Sequence, residues 1–170
     1  MKRLVPTAEM TLGPFFPREF ARGADDLTRM GTAVVPGEQI EIVGTVTQAD
    51  GQPLDNLVLE ISQADSRGRF DNPNFLGWGR AATDAQGVYR FRTIKPGAPE
   101  GRIAHVNFLL LYSGLMRHLQ TVMFFEVGKD PVLDAVPAPL RQRLVAKREG
   151  TVYRFDVRLR GEGETPFFDD

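Results

Sequence analysis

The stretch Arg102-Ile103-Ala104-His105-Val106-Asn107-Phe108 has the clearest capacity for chemistry in this chain. Read as a strand, it sends alternate side chains to opposite faces, so His105 and Asn107 project together with Arg102 a short step upstream. An imidazole and an amide placed in this way could hold a metal ion or a polar ligand, and the guanidinium would set a cation beside it. The plain alternative is a pair of hydrogen-bonded polar residues on a strand face, since buried polar groups normally find partners. The chain has two histidines. The second, His118, falls in Ser113-Gly114-Leu115-Met116-Arg117-His118, which reads as a hairpin connection and makes it a surface residue. Glu162 and Glu164 resemble a carboxylate pair for acid–base work, but beside a charged C-terminal end they read as solvated loop. There is no Gly-rich phosphate loop, no nucleophile elbow and no aromatic-basic interleaving suited to nucleic acid.

Composition narrows the chemistry further. Cysteine is absent, which excludes disulfide scaffolds, thiolate-bound zinc or iron–sulfur clusters, and thiol catalysis. Lys plus Arg number 21 against 22 Asp plus Glu, for a net charge of -1. That balance argues against a phosphate-neutralising nucleic-acid binder and against a polybasic membrane surface. With 170 residues and 42% hydrophobic content, folding one domain removes roughly 70% of the unfolded chain's surface from water, so no metal or disulfide staple is required. No run approaches the roughly 20 apolar residues of a membrane span. Lys2 and Arg3 are followed by Pro6 and Glu9, which interrupt any signal-peptide apolar region, so a cytoplasmic location is expected.

The elements that must position these residues read as short strands. Residues 1–38 show little periodicity and are expected to form an N-terminal arm that packs on its own domain or on a neighbour, with Gly13-Pro14-Phe15-Phe16-Pro17 as a rigid aromatic turn. From residue 39 to the end a single sandwich domain is expected. Ile40, Ile42, Gly44 and Val46 alternate with Glu41, Val43, Thr45 and Thr47 before an Asp50-Gly51 turn. Residues 57–61 read as a second strand, and residues 62–79 as a Gly, Asp and Asn-rich excursion holding Trp78. Residues 88–94 alternate cleanly, 104–112 form the strongest apolar strand, and 119–126 another. Pro139 near the first turn of residues 139–147 predicts a short helix. Tyr153, Phe155, Val157 and Leu159 alternate with charged residues, as in a half-buried strand. Six or more strands with turn signals between them and one helix predict an all-β, two-sheet sandwich.

Longer blocks then carry a family likeness. Leu59-Glu60-Ile61-Ser62-Gln63-Ala64-Asp65 with Gly68-Arg69-Phe70, Gly79-Arg80-Ala81-Ala82-Thr83-Asp84, Gly87 to Gly97, and Arg102-Ile103-Ala104-His105 together resemble the intradiol ring-cleavage dioxygenases. Within the family the likeness is to the alpha-type chain of its protocatechuate-cleaving members. It rests on Thr11-Leu12-Gly13-Pro14-Phe15, His105-Val106-Asn107, and Tyr153 to Val157 running into Gly161-Glu162-Gly163-Glu164-Thr165-Pro166-Phe167-Phe168-Asp169.

The resemblance implies a ferric site that can be checked position by position. Catalytic members hold Fe(III) with two tyrosines and two histidines, hard phenolates suiting the ferric ion. The first tyrosine position is Phe70 here, which keeps the ring and loses the donor atom. The second lies in an insertion reduced here to Ala98-Pro99-Glu100-Gly101. The third ligand is matched by His105, and the fourth is Asn107, a far poorer ligand. Arg102 matches an arginine that lines the catalytic site. Tyr112 has the strand parity of Val106 and Phe108 and should face away from His105, while Tyr89 and Tyr153 fall on apolar strand faces.

These matches imply an alpha-type subunit without metal, whose Phe70, Arg102, His105 and Asn107 form a vestigial site. A homologous beta-type subunit would carry Fe(III), and Gly13, Pro14 and Phe15 would wall that partner's cleft for a small aromatic substrate. The implied reaction inserts both atoms of O₂ between the hydroxyl-bearing carbons of protocatechuate, giving 3-carboxy-cis,cis-muconate. The family's alpha chain carries an arginine before the hairpin glycine that points into the shared cleft; here that position is Ser113, with Arg117 nearby. The competing reading is a non-catalytic homo-oligomeric sandwich that binds a small aromatic acid or anion on the Arg102, His105 and Asn107 face.

Overall fold

The computed structural model describes residues 16–168. Among them, two sheets face each other. The first joins β3 (Gln39–Thr47), β6 (Val88–Ile94), β9 (Lys147–Glu149), β10 (Val152–Arg154) and β11 (Val157–Arg158). Here β3 lies antiparallel to β6 and parallel to both β10 and β11. The second is antiparallel, in the order β5 (Trp78–Ala82), β4 (Val58–Gln63), β7 (His105–Leu111), β8 (Leu119–Phe124). The expected all-β sandwich is the fold observed.

The alternating residues meet between the sheets. Ile42, Tyr89, Phe91 and Tyr153 from the first sheet, with Phe155 from the link between β10 and β11, pack with Leu59, Ile61, Val106, Phe108 and Leu110 from the second. Phe108 is central, its ring 5.3 Å from Phe155, 5.9 Å from Tyr89 and 6.3 Å from Phe91. Offset and edge-on aromatic contacts of this kind add to the transfer of apolar area out of water. A smaller apolar cluster of Val122, Phe124, Leu133, Val136 and Leu144 forms beside β8.

Three local expectations are corrected. Residues 139–147 do not form the expected helix. A 3-10 helix spans Ala138–Leu144, Lys147 already belongs to β9, and the α-helix, α1 (Pro131–Ala135), lies upstream. Asp130 caps α1, accepting from the backbone N–H of Val132 at 2.9 Å and of Leu133 at 3.3 Å, with Pro131 in the first turn. Asp-Pro was the overlooked start signal. The strand expected through residues 153–159 is interrupted. The Asp156 carboxylate takes the Thr45 N–H at 2.9 Å, and the Phe155 carbonyl turns over Gly44 to accept from the Tyr89 hydroxyl at 2.5 Å. A Cβ on Gly44 would stand 1.8 Å from that carbonyl oxygen, so the approach requires glycine.

The third correction is β5, which begins at Trp78 inside the expected excursion. Its inward positions are Gly79 and Ala81, too small to register as an apolar alternation. A Cβ at Gly79 would meet the Leu27 side chain at 2.4 Å and the Ala24 carbonyl at 2.8 Å. Segment 24–27 closes that edge of the sandwich. The Ala24 carbonyl accepts from the Arg80 N–H of β5, and Leu27 donates to the Arg92 carbonyl of β6. The rest of the described arm holds a 3-10 helix, Arg18–Ala21, and a small hairpin of β1 (Arg29–Met30) and β2 (Ala33–Val34). Phe20 lays its ring over the Arg80 guanidinium at 3.8 Å and stacks on Phe16 at 5.5 Å.

Candidate functional site

On β7 the even-numbered Val106, Phe108 and Leu110 turn into the core, which sends His105, Asn107 and Leu109 to the outer face of the second sheet. The strand register then fixes their neighbours. Asn107 lies between Ser62 of β4 and Val122 of β8, and Ser62 lies beside Trp78 of β5. One step along, Leu109 pairs with Glu60 and Gln120, and Glu60 with Arg80. A shallow depression of about 240 Å³ forms here, lined by Glu60, Ser62, Trp78, Asn107, Leu109 and Gln120 among others. Trp78 and the outward residues of β4 were not singled out from the sequence. Their signal was the period of two on β4, which becomes informative only once its register to β7 is known.

The sequence places His105 and Asn107 together, and the structure gives them one face but unlike surroundings. Asn107 is exposed and directs its amide at the Ser62 hydroxyl, 3.4 Å away. His105 is 4% exposed, with its ring 6.0 Å from that of Phe124. Its Nδ1 lies 2.7 Å from the Ile103 carbonyl, which can only accept, so Nδ1 carries the proton and Nε2 the lone pair in the neutral ring. Burial pushes the His105 pKa below 6.5 with help from the Arg102 charge, against the opposing pull of the Ile103 carbonyl and Asp130.

Arg102 turns instead to Asp130. Its Nε donates to Asp130 Oδ2 at 2.6 Å, and the Ile103 N–H donates to the same oxygen at 3.2 Å. The Asp130 side chain is 0% exposed and that of Arg102 is 25% exposed. Burial alone would raise the Asp130 pKa, but Arg102 and three backbone N–H donors outweigh it and hold the carboxyl below its usual range. One carboxylate therefore caps α1 with Oδ1 and anchors the entry to β7 with Oδ2. Among the described residues, no three His, Cys, Asp or Glu side chains are grouped so as to hold a metal ion.

Phe70, 61% exposed, follows a turn built around Asp65. Asp65 Oδ1 accepts from the N–H groups of Arg67 at 2.8 Å and Arg69 at 2.9 Å, and its Oδ2 from Asn72 at 2.8 Å. Gln63 donates to the Ile94 carbonyl at 2.9 Å and accepts from Thr93 at 2.8 Å, tying β4 to β6. Gly68, at φ 80°, would place a Cβ 2.2 Å from the Ala98 carbonyl, and one on Gly97 would lie 2.6 Å from the Gly68 nitrogen. The Gln63–Asp65, Gly68 and Gly97 positions thus form one packed junction between the sheets. The segment after it turns at once, Arg102 donating its N–H to the Pro99 carbonyl at 3.1 Å.

The tyrosines are occupied elsewhere. Tyr89 and Tyr153 are fully buried between the sheets, and Tyr112 packs against the same core, on the side away from His105. His118 is half-buried on the β7–β8 turn with Nε2 3.2 Å from the Gln120 amide nitrogen, and Arg117 is exposed on that turn. Glu162 and Glu164 are exposed, and Glu164 accepts from the Gly161 N–H at 3.2 Å. Gly13, Pro14 and Phe15, the expected wall of a partner's cleft, lie outside the described residues.

Comparison with known proteins bears on the family. A dioxygenase family model matches residues 11–161. The protocatechuate 3,4-dioxygenase alpha chain of Burkholderia cepacia is 34% identical, with 99% of this chain and 100% of that one covered. The chain belongs to the intradiol dioxygenase family. The protocatechuate 3,4-dioxygenase beta chain of the same organism is 37% identical over a smaller share, 76% of this chain and 68% of the relative. Among solved structures, the dioxygenase domain of a dioxygenase–carbohydrate-binding protein fusion from Streptomyces sp. SirexAA-E superposes with a TM-score of 0.62. It is 27% identical over 92% of this chain and 99% of that one. In this intradiol dioxygenase chain the family-like blocks are largely structural: Gln63, Asp65, Gly68 and Gly97 hold the junction, and Thr83, Asp84 and Gly87 shape the β5–β6 turn. No helix among the described residues is long and apolar enough to cross a membrane.

Proposed function

We propose that this chain is the alpha-type subunit of a hetero-oligomeric intradiol dioxygenase, working beside a homologous beta-type subunit that holds Fe(III). The reaction assigned to the assembly converts protocatechuate and O₂ to 3-carboxy-cis,cis-muconate. The observation that carries this reading is the donor set at the positions where the resemblance implies iron ligands and their neighbouring arginine. Phe70 offers no donor atom, Asn107 offers a neutral amide already near Ser62, and Arg102 is committed to Asp130. His105 is left as a lone imidazole, shielded from solvent. Such a set does not fit a ferric ion, which favours several anionic or imidazole donors at once. The match over the full length of an alpha chain, against partial coverage of a beta chain, supports the same assignment.

The partner's metal would supply the oxygen chemistry, and this chain would supply walls and placement. Gly13, Pro14 and Phe15 would form part of the substrate cleft, a proline-fixed aromatic segment being suited to a rigid apolar surface. The homo-oligomeric binding module is less favoured, because the cation it needs at Arg102 already neutralises Asp130. Coexpression with a beta-type chain that carries both tyrosines and a His-x-His strand tests the proposal. The pair should copurify, contain iron and consume O₂ with protocatechuate, while this chain alone should neither hold iron nor consume O₂. Stoichiometric iron and catechol cleavage by the isolated chain would overturn the assignment.

A further inference from the structure

A second concavity lies at the end of the sandwich where β3, β7 and β11 finish and β8 begins. Its volume is about 520 Å³, twice that of the depression beside Asn107. Leu54 is buried at its base, and Tyr112, Leu119 and Leu159 line it while packing against the main core. The walls are fixed by the backbone. The Leu54 N–H donates to the Val46 carbonyl at 3.0 Å and the Leu159 N–H to the Thr47 carbonyl at 2.9 Å. Across the opening, the Leu115 N–H closes the β7–β8 turn on the Tyr112 carbonyl at 3.1 Å.

Arg158 and Arg160, on the β11 side of this end, differ. The Arg158 guanidinium is satisfied by the carbonyls of Ala49 and Arg160. Arg160 lines the pocket, is exposed, and forms no ion pair with any described carboxylate. A pocket of this size with an apolar lining and few polar groups has the make-up of a small-molecule site, the polar groups setting orientation. One unmatched cation at the rim of an apolar hollow complements a single negative charge on an apolar body. A dianion would leave its second charge against leucine side chains, which is unfavourable.

We propose that this pocket binds an apolar monocarboxylate, with its body against Leu54, Tyr112, Leu119 and Leu159 and its carboxylate on Arg160. An alkyl acid and an aromatic acid share this chemistry, so both are probes. The full chain is titrated calorimetrically with octanoate, benzoate and, as an uncharged control, benzamide. One saturable site per chain is expected for at least one acid, and the stronger of the two identifies the body as chain or ring. Arg160→Gln should weaken the acid by about 10-fold, the scale of one charge-assisted hydrogen bond, and leave benzamide unchanged. This side chain bears on no described partner, so the variant should melt like the parent. Leu115→Trp, which fills the mouth, should abolish binding of the acid. Failure of both acids to saturate, or undiminished binding by Arg160→Gln, would overturn the proposal, whatever the outcome of assembly with an iron-bearing partner.

Discussion

Removing the Asp130 carboxylate should destabilise this protein more than any other single change at the candidate site. Its two oxygens accept four hydrogen bonds, from Arg102 Nε at 2.6 Å and from the N–H groups of Ile103, Val132 and Leu133 at 3.2, 2.9 and 3.3 Å. In Asp130→Ala, loss of the helix cap costs about 1 kcal/mol. Breaking a fully buried ion pair costs about 3–5 kcal/mol, but the partly exposed Arg102 regains water, which brings that contribution to about 1–2 kcal/mol. The Ile103 N–H, left without its acceptor, adds about 1 kcal/mol. The expected loss is therefore about 3–4 kcal/mol, or about 10 °C in Tm for a chain of this length. Asp130→Asn keeps an oxygen for the cap and should lose about half as much. Urea denaturation of the full chain at pH 7, followed by circular dichroism, measures both. A loss under about 1 kcal/mol for Asp130→Ala would refute the view that this carboxylate holds the entry to β7.

Further outcomes follow from the same geometry. The folded His105 pKa lies below 6.5, so the unfolded chain binds the proton more readily. Stability should hold above that pH and fall as pH drops through the window between 6.5 and the folded value, and His105→Gln should flatten this slope in pH-dependent melts. Asp130, with its pKa lowered from 3.8, should add a separate loss at more acidic pH, as the carboxyl protonates in the fold. Gly44→Ala should disrupt the crossing of Phe155 over β3 and cost more than Tyr89→Phe, which removes one hydrogen bond worth about 1 kcal/mol; chemical denaturation ranks the two. Phe70→Tyr in the isolated chain should bind no iron after ferric loading, since one restored phenolate leaves the other donors wanting; elemental analysis reads this. In an assembled enzyme, Phe15→Ala should raise the KM for protocatechuate with iron content unchanged, by steady-state O₂ uptake and metal analysis.

The amino-acid sequence by itself determined the two-sheet architecture, because a strand with one buried face must repeat every second residue. Residues 39–47 and 88–94 announce this period, and 104–112 stand out as the strongest apolar strand. It also determined that His105 and Asn107 share a face, and that Tyr89, Tyr112 and Tyr153 turn elsewhere. Local chemistry was legible where the signal is local, as in the Asp50-Gly51 turn, where the Gly51 N–H donates to the Gln48 carbonyl at 3.1 Å. It was illegible where small residues face inward, as at Gly79 and Ala81, because close backbone packing leaves no apolar pattern.

Only the tertiary structure decided what these side chains do. The pairing of Arg102 with Asp130 joins residues 28 positions apart, and nothing in either neighbourhood names the other. It turns a cation that resemblance places in a cleft into the partner of a helix cap. Likewise, burial beside Phe124 rather than strand parity sets the His105 pKa, and cross-strand register brings Ser62 and Trp78 to Asn107. Facing direction is a property of one strand, readable from its period. Partnership and dielectric surroundings belong to the packing of several strands and loops, and exist only once the chain has closed on itself.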